Sequence, residues 1–393
     1  MGTHKPIRRT AVLSLTLLLA TVFVSCGNPF MDRILQIKKV AFDTDGNGIA
    51  DMEITLYRGE TVKPPVLPSI PKKKFDGWYQ DKGFSHKWNF STVPTKDIIL
   101  FAKWIASGGL SGSGTPGDPW NIDNADDLQN IGDNLDAYYE LTGHIILDPP
   151  KPGETGNWIP IGDTSKPFTG SFNGNGYTIS NMAIEGDNSM FSTNTSGTIK
   201  NFGLIDVSIT STGTGQTNIG AIVGQNSGGT LENIYVTGMV ISGSGTAVGG
   251  IVGRNVAQGK VINCFASFET INGLPNSKTG GIAGENLATI QNSIAITQKI
   301  SANTAGRITG VNNGTLGSNY AWENMETGGV IVSGSENDEN GAGMANTDAK
   351  LQNAWERAGF TFGSGEGQWA WNGSLGMPSL INDGVFASWP NWL

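Results

Sequence analysis

Cysteine and histidine are nearly missing from this chain, whose 393 residues carry two Cys and three His. Two thiols cannot build a disulfide framework, and a His-Glu-x-x-His metal site has no ligands to draw on. Charged residues are sparse at 15%, and the net charge is −9. Residues 1–25 hold Lys5, Arg8 and Arg9 and no acid, so the remainder carries −12. Without a basic stripe the chain is a poor partner for nucleic acid, because phosphates are bound by clustered Lys and Arg. The same balance argues against electrostatic docking on anionic lipid and reads as a solubility device. Gly is abundant at 56 residues, yet no strict Gly-X-Y period runs through them, which excludes collagen. The one long apolar run, Ala11 to Val24, is short for a membrane span of about 20 residues.

That run follows the positive stretch His4, Lys5, Arg8, Arg9 and ends in Phe23-Val24-Ser25-Cys26, which is the layout of a secretory signal. The segment resembles a bacterial lipoprotein signal with a relaxed lipobox, in which Phe23 stands where Leu is usual. The resemblance implies that Cys26 becomes the lipidated first residue of the mature chain, anchored through several acyl chains. An ordinary signal peptide with a chance Cys is the alternative. Gly27 follows the Cys, so nothing here marks retention in the inner membrane. Cys264 sits in an apolar β-run and reads as a small buried hydrophobe rather than a nucleophile, since no His lies near it.

After a short tether, residues 35–105 read as a compact all-β module. Val40-Ala41-Phe42, Met52 to Tyr57, Phe75 to Tyr79 and Ile98 to Trp104 alternate as strands do, with Pro64, Pro65, Pro68 and Pro71 as punctuation. Phe42-Asp43, Gly59-Glu60-Thr61-Val62, Gly77-Trp78-Tyr79, Trp88-Asn89-Phe90, Val93-Pro94 and Leu100 to Trp104 together resemble the Listeria–Bacteroides repeat of the internalin type. That resemblance implies a β-grasp-like spacer or binding module without catalytic residues. Inside it, Asp43, Asp45, Asn47 and Asp51 match the oxygen-bearing positions of a calcium loop. Ile54 stands where the bidentate Glu belongs, however, and Asp-Gly and Asn-Gly are hairpin chemistry. A structural turn is the preferred reading and Ca2+ the alternative.

Residues 106–119, rich in Gly and Ser, read as a flexible linker. Asn124 to Ile131 reads as a short helix with Asn124 as N-cap. Beyond it the chain repeats. Asn201, Asn233, Asn263 and Asn292 each close an apolar-x-Asn triplet, at spacings of 32, 30 and 29 residues. Asn226, Asn255 and Asn286 each follow a Gly corner by two residues. Such periods mean a solenoid, in which coils stack because one coil cannot bury its own apolar face. Phe202, Ile234, Cys264, Ser293 and Leu204, Val236, Ala266, Ala295 form two columns expected to point inward. The Asn201 to Asn292 column is expected to stack its amides, and Gly to make the tight corners.

Gly250-Ile251-Val252-Gly253 and Gly281-Ile282-Ala283-Gly284, with the lead-in Trp158 to Ile179, resemble the GLUG motif over roughly Asp118 to Asn382. The resemblance implies a right-handed parallel β-helix. Such repeats occur in bacterial adhesin-like surface proteins and beside the protease domain of immunoglobulin A metalloproteases. No protease motif accompanies them here. After Tyr320 the period fades, and Trp369, Trp371, Trp389 and Trp392 crowd a region expected to cap the solenoid.

The expected organisation is therefore a lipoprotein signal (1–25), tether (26–34), β-grasp-like module (35–105), linker (106–119), right-handed parallel β-helix (120–320) and C-terminal cap (321–393). The chain is expected to be non-enzymatic, with no resident cofactor. It is expected to sit in a bacterial envelope, at the outer membrane or cell surface, attached through its N-terminal lipid and binding a protein or glycan. The alternatives are a carbohydrate-binding or carbohydrate-degrading β-helix and a plain spacer. Asp206, Glu232, Glu269 and Glu285 fall into no common column, which weakens the glycosidase alternative.

Overall fold

The computed structural model describes residues 37–380 apart from 45–49, 66, 68–72, 107–109, 187, 211–217, 364–368 and 374–375. The chain divides into two compact units between Ala106 and Ser107.

In the first unit, strands β1 (Lys38–Asp43), β2 (Met52–Leu56), β3 (Lys73–Tyr79) and β4 (Ile98–Ala106) form one sheet in the order β2-β1-β4-β3. The central β1–β4 pair is parallel and each outer pair is an antiparallel hairpin, which is the sheet order of a β-grasp. Alternate residues Val40, Phe42, Leu100, Ala102 and Trp78 turn to one face and bury there with Leu56 and Val62. Phe42 meets Trp78 edge-on at 5.0 Å between ring centres.

The second unit is a right-handed parallel β-solenoid of about six turns. It starts earlier than a linker ending at Pro119 would allow. Leu110 packs on the solenoid core, Asn121 N–H donates to Ser111 O at 2.8 Å, and Tyr138 N–H donates to Gly114 O at 3.0 Å. A Cβ on Gly114 would stand 3.0 Å from the Trp120 ring, so this Gly seats an aromatic rather than loosening the chain. The helix Ala125–Gln129 follows, its first turn capped by Asn124, whose side chain accepts from Asp127 N–H at 2.9 Å.

Three strand stacks make the coils. One holds Thr198–Thr210, Thr230–Gly243 and Phe265–Gly273; the second Asn218–Gly220, Ala247–Gly249, Lys278–Gly280 and Thr304–Gly306; the third Phe191–Thr195, Val223–Ser227, Val252–Val256, Ala283–Asn286 and Thr309–Asn312. Like residues stand over like: Ile199, Leu231, Val261, Ile290 and Leu316 are in parallel register and buried. So are Ile209, Ile241, Ile271 and Ile300. Each such aliphatic side chain withdrawn from water contributes about 1.5–3 kcal/mol. All eight residues of the two columns beginning at Phe202 and Leu204 are fully buried.

The glycines of the corners work differently from the expectation. Gly253 and Gly284 do not adopt positive φ. A Cβ on either would lie 2.4 Å from a backbone nitrogen of the preceding coil, at Ile219 and Val248. The glycines are there because backbone meets backbone. Left-handed turns are made by Asn201, Asn233, Asn263 and Asn292, at φ 51° to 59°, a region Asn tolerates better than most residues, and by glycine at Gly176, Gly186 and Gly228.

Stacking also continues past Tyr320. Ala342–Met344 pairs in parallel with Tyr320–Trp322, after an excursion that hides the period. That excursion closes the end of the last coil, where Glu339 O accepts from Ile308 and Thr309 N–H. Arg307 is buried beneath it, donating to Trp322 O at 3.2 Å and Gly341 O at 2.7 Å. The described residues between Gln352 and Leu380 pack on a flank of the solenoid. Trp355 and Trp369 pack on Phe265 at 5.1 and 5.6 Å, and Trp369 reaches Tyr235 at 6.3 Å.

Candidate interaction surface

The sequence-derived sites divide between described and undescribed residues. Cys26 lies outside the described residues, as do Asp45, Asn47, Trp389 and Trp392. Of the calcium-loop positions, Asp43 and Asp51 are described. Asp51 accepts from both the backbone N–H and the hydroxyl of Thr44 at 2.8 Å. Its backbone N–H donates to Phe42 O at 2.8 Å, and Trp104 Nε1 donates to Thr44 O at 2.8 Å. These bonds tie the hairpin together. Among the described residues no group of three or more His, Cys, Asp or Glu is placed to hold a metal ion.

The structure links most of the predicted Asn column. Asn233 donates to Asn201 at 3.1 Å and Asn263 to Asn233 at 3.3 Å. Asn201 donates in turn to Asn173 at 2.9 Å, a member the spacing missed. At the other end Asn263 Oδ1 has no hydrogen-bond partner. Gly359 of the terminal segment sits on the Asn292 amide so closely that a Cβ there would be 2.4 Å from Cγ.

A second ladder is deeper. Asn194, Asn226, Asn255 and Asn286 are fully buried, and each donates to the next at 3.0, 3.0 and 2.9 Å. Asn286 then donates to Asn312 at 2.8 Å. The same amide groups donate to the carbonyls of Gly197, Gly229 and Gly259, which pins each corner. Asn312 follows Gly310 by two residues, as Asn226 follows Gly224, so the signal was present. Asn194 has Ser192 in place of that Gly, which concealed it.

Charged side chains in the coils are also spent on stacking. Glu285 accepts from Arg254 of the preceding coil at 2.7 Å and pairs with Lys278 of its own. Burial raises its pKa, but hydrogen bonds from Lys278 and Arg254 outweigh this, and the net shift is downward. A depressed carboxylate pKa contributes stability above its ordinary value, which is lost as pH falls through the folded value. Replacing Glu285 by Gln should therefore destabilise the solenoid more at pH 7 than at pH 3, which lies below the ordinary carboxylate value. Urea unfolding midpoints at the two pH values test this, and an equal deficit at both would sink it.

Cys264 is fully buried, with its thiol against the Ile262 and Leu231 carbonyls. Burial pushes its pKa up to about 12, so it holds no nucleophilic thiolate near neutrality. The native protein should resist a maleimide at pH 8 and react only once unfolded; labelling at the rate of a free thiol would refute this. Trp355 and Trp369 are buried in the flank and offer no platform for a sugar. The exposed large aromatic of the described solenoid is Tyr138.

Comparison with known proteins matches the model of the Listeria-Bacteroides repeat domain to residues 39–103 and that of the GLUG motif to residues 244–272. Halomucin of Haloquadratum walsbyi is 32% identical over 160 residues, which is 38% of this chain and 2% of that one. Internalin H of Listeria monocytogenes is 35% identical over 65 residues, 16% of this chain and 11% of its own length. The chain thus spans only a small part of these relatives. The solved "putative immunoglobulin A1 protease" of Bacteroides ovatus aligns at a TM-score of 0.45 and 21% identity, covering 68% of this chain and 94% of that one. Two repeat types therefore meet in one chain: a Listeria-Bacteroides repeat domain and, in the solenoid that follows it, the GLUG motif.

Proposed function

We propose that this is a non-enzymatic repeat protein of the bacterial cell surface, anchored through lipid on Cys26, whose outward faces bind host or matrix macromolecules. One observation carries the reading: the buried Asn ladder and the cluster of charged side chains around Glu285 are engaged in holding coil to coil. Asn194 to Asn312 and Arg254–Glu285–Lys278 are spent in this way. What remains for function is an extended outer surface, as in solenoids generally. The presence of a Listeria-Bacteroides repeat domain and the likeness to internalin H and halomucin support a surface setting.

The test is protease shaving of intact cells with mass spectrometry of the N-terminal peptide, followed by glycan and host-protein binding arrays. Acylated Cys26 and external clipping of the solenoid are expected. A protected solenoid would end the adhesion reading and leave an envelope role. A spacer role is the second reading, favoured by the scarcity of exposed aromatics on the described solenoid.

A further inference from the structure

The last coil of the solenoid is closed at one corner and open at another. Ile308 and Thr309 are covered through the Glu339 carbonyl. Elsewhere on the coil the buried column Ile209, Ile241, Ile271, Ile300 ends on Thr327, which stands over Ile300 and is 3% exposed. There the chain turns back on itself. Thr327 and Val330 are antiparallel partners across Gly328 and Gly329, whose φ values are 59° and 87°. Positive φ at both loop positions marks a type I′ hairpin, which Gly-Gly favours. Glu326, ion-paired with Lys299 of the preceding coil at 3.0 Å, seats the hairpin on the stack.

Val330 pairs with Thr327 and Ile331 with Glu326, so Val330 continues the core column and Ile331 the outer face. Neither is covered: Val330 is 58% and Ile331 64% exposed. Among the described residues they are the one pair of exposed large apolar side chains adjacent in sequence. In a type I′ hairpin the two residues flanking the loop bond to each other, so the N–H and C=O of the next residue point to the outer edge. That residue is Ile331, and among the described residues the ladder partner of its strand is Glu326–Thr327. From Gly328 to Ser335 the chain has neither a charged residue nor Pro, the devices that blunt a sheet edge.

Bare ladder groups on an edge are recognised by another extended strand. The charge of the unit narrows the choice of strand. Residues 107–393 carry 10 Lys and Arg against 25 Asp and Glu, a net −15, so two copies repel as wholes and can touch on a neutral segment such as this one. We propose that Val330–Ile331 pairs antiparallel with its equivalent in a second copy, about a two-fold axis at Ile331. Each Ile331 then donates to and accepts from the other. Ile331 faces Ile331 and Val330 faces Val332 across the axis, a self-complementary contact of three β-branched residues from each copy. The contact covers Val330 at the open end of the column. It is small for an interface, so a transient dimer is expected, with a dissociation constant on the order of 100 µM.

The experiment uses the full mature chain with Cys26→Ser, which keeps acyl chains out of the measurement. Sedimentation equilibrium is followed from about 10 to about 500 µM protein, at 50 and 500 mM NaCl. A dimer is expected, tighter at the higher salt, because screening removes the repulsion between acidic units. Ile331→Lys sets like charges against each other at the axis and should weaken the dimer about 10-fold or more. Ile331→Pro removes the outward N–H while keeping an apolar side chain on an edge that tolerates Pro, and should weaken it likewise. Circular dichroism checks that both variants fold. A chain monomeric at every concentration overturns the proposal and leaves the edge to a strand of another protein. A dimer that both variants leave intact, or one that dissociates at high salt, also overturns it.

Discussion

Replacing Asn255 by Asp, a change of one side-chain group, should cost the solenoid about 4 kcal/mol or more at neutral pH. Asn255 Nδ2 donates to Asn286 Oδ1 at 2.9 Å, Thr289 O at 3.1 Å and Gly259 O at 3.3 Å. A carboxylate would aim a charged acceptor at three acceptors in a fully buried site. Each lost bond with a stranded partner costs about 1–3 kcal/mol, before the desolvation of the charge. Burial against three acceptors, with Asn226 as the ladder's donor to this position, raises the folded pKa of the introduced carboxyl, so its deficit should shrink as pH falls through that value and the group becomes a donor. Urea unfolding followed by far-ultraviolet circular dichroism, at pH 7 and at pH 4.5, measures both effects. Asn233 is the control. It lies in the half-buried ladder at φ 51°, so Asn233→Gly should cost little and Asn233→Ala about 1–2 kcal/mol through left-handed strain. Equal losses at Asn255 and Asn233 would show that the inner ladder has no special weight.

Trp369→Ala should release the terminal segment from the flank while leaving the coils stacked. Trp369 is fully buried among Phe360, Phe265 and Tyr235, with ring centres 4.9, 5.6 and 6.3 Å away. Truncating so large a core side chain costs about 3–5 kcal/mol. Its Nε1 has no hydrogen-bond partner, so Trp369→Phe should cost far less. Limited proteolysis should then cut between Ala345 and Leu380 in the Ala variant, with the far-ultraviolet spectrum preserved. Resistance equal to wild type would mean that the flank contact holds nothing in place. Tyr235 and Phe265, stacked at 9° between ring planes, would become solvent-facing in the released form.

These expectations use residues of unequal legibility. Asn226, Asn255 and Asn286 were readable from spacing, but their rank above the Asn201 column was not. Both columns are Asn at a fixed period, and only three dimensions show that one faces the interior while the other, beyond Asn201, lies at partly exposed corners. Arg307 gave no signal, since a lone Arg in a β-run has no periodic partner. The terminal tryptophans signalled packing without saying against what.

The sequence by itself determined that the chain stacks. A period of about 30 residues carrying a short apolar run can satisfy its backbone and hide its side chains only by repetition. It also determined the alternation that buries Val40, Phe42 and Leu100 together, because strand geometry allows side chains no other period. Tertiary structure alone decided the rest. Backbone meeting backbone at Gly253 and Gly284 is a contact between coils, about 30 residues apart in the chain. The flank taken by Trp355 and Trp369 depends on an aromatic face that exists only once Tyr235 and Phe265 stand on adjacent coils. Both are long-range relations, which local pattern does not encode.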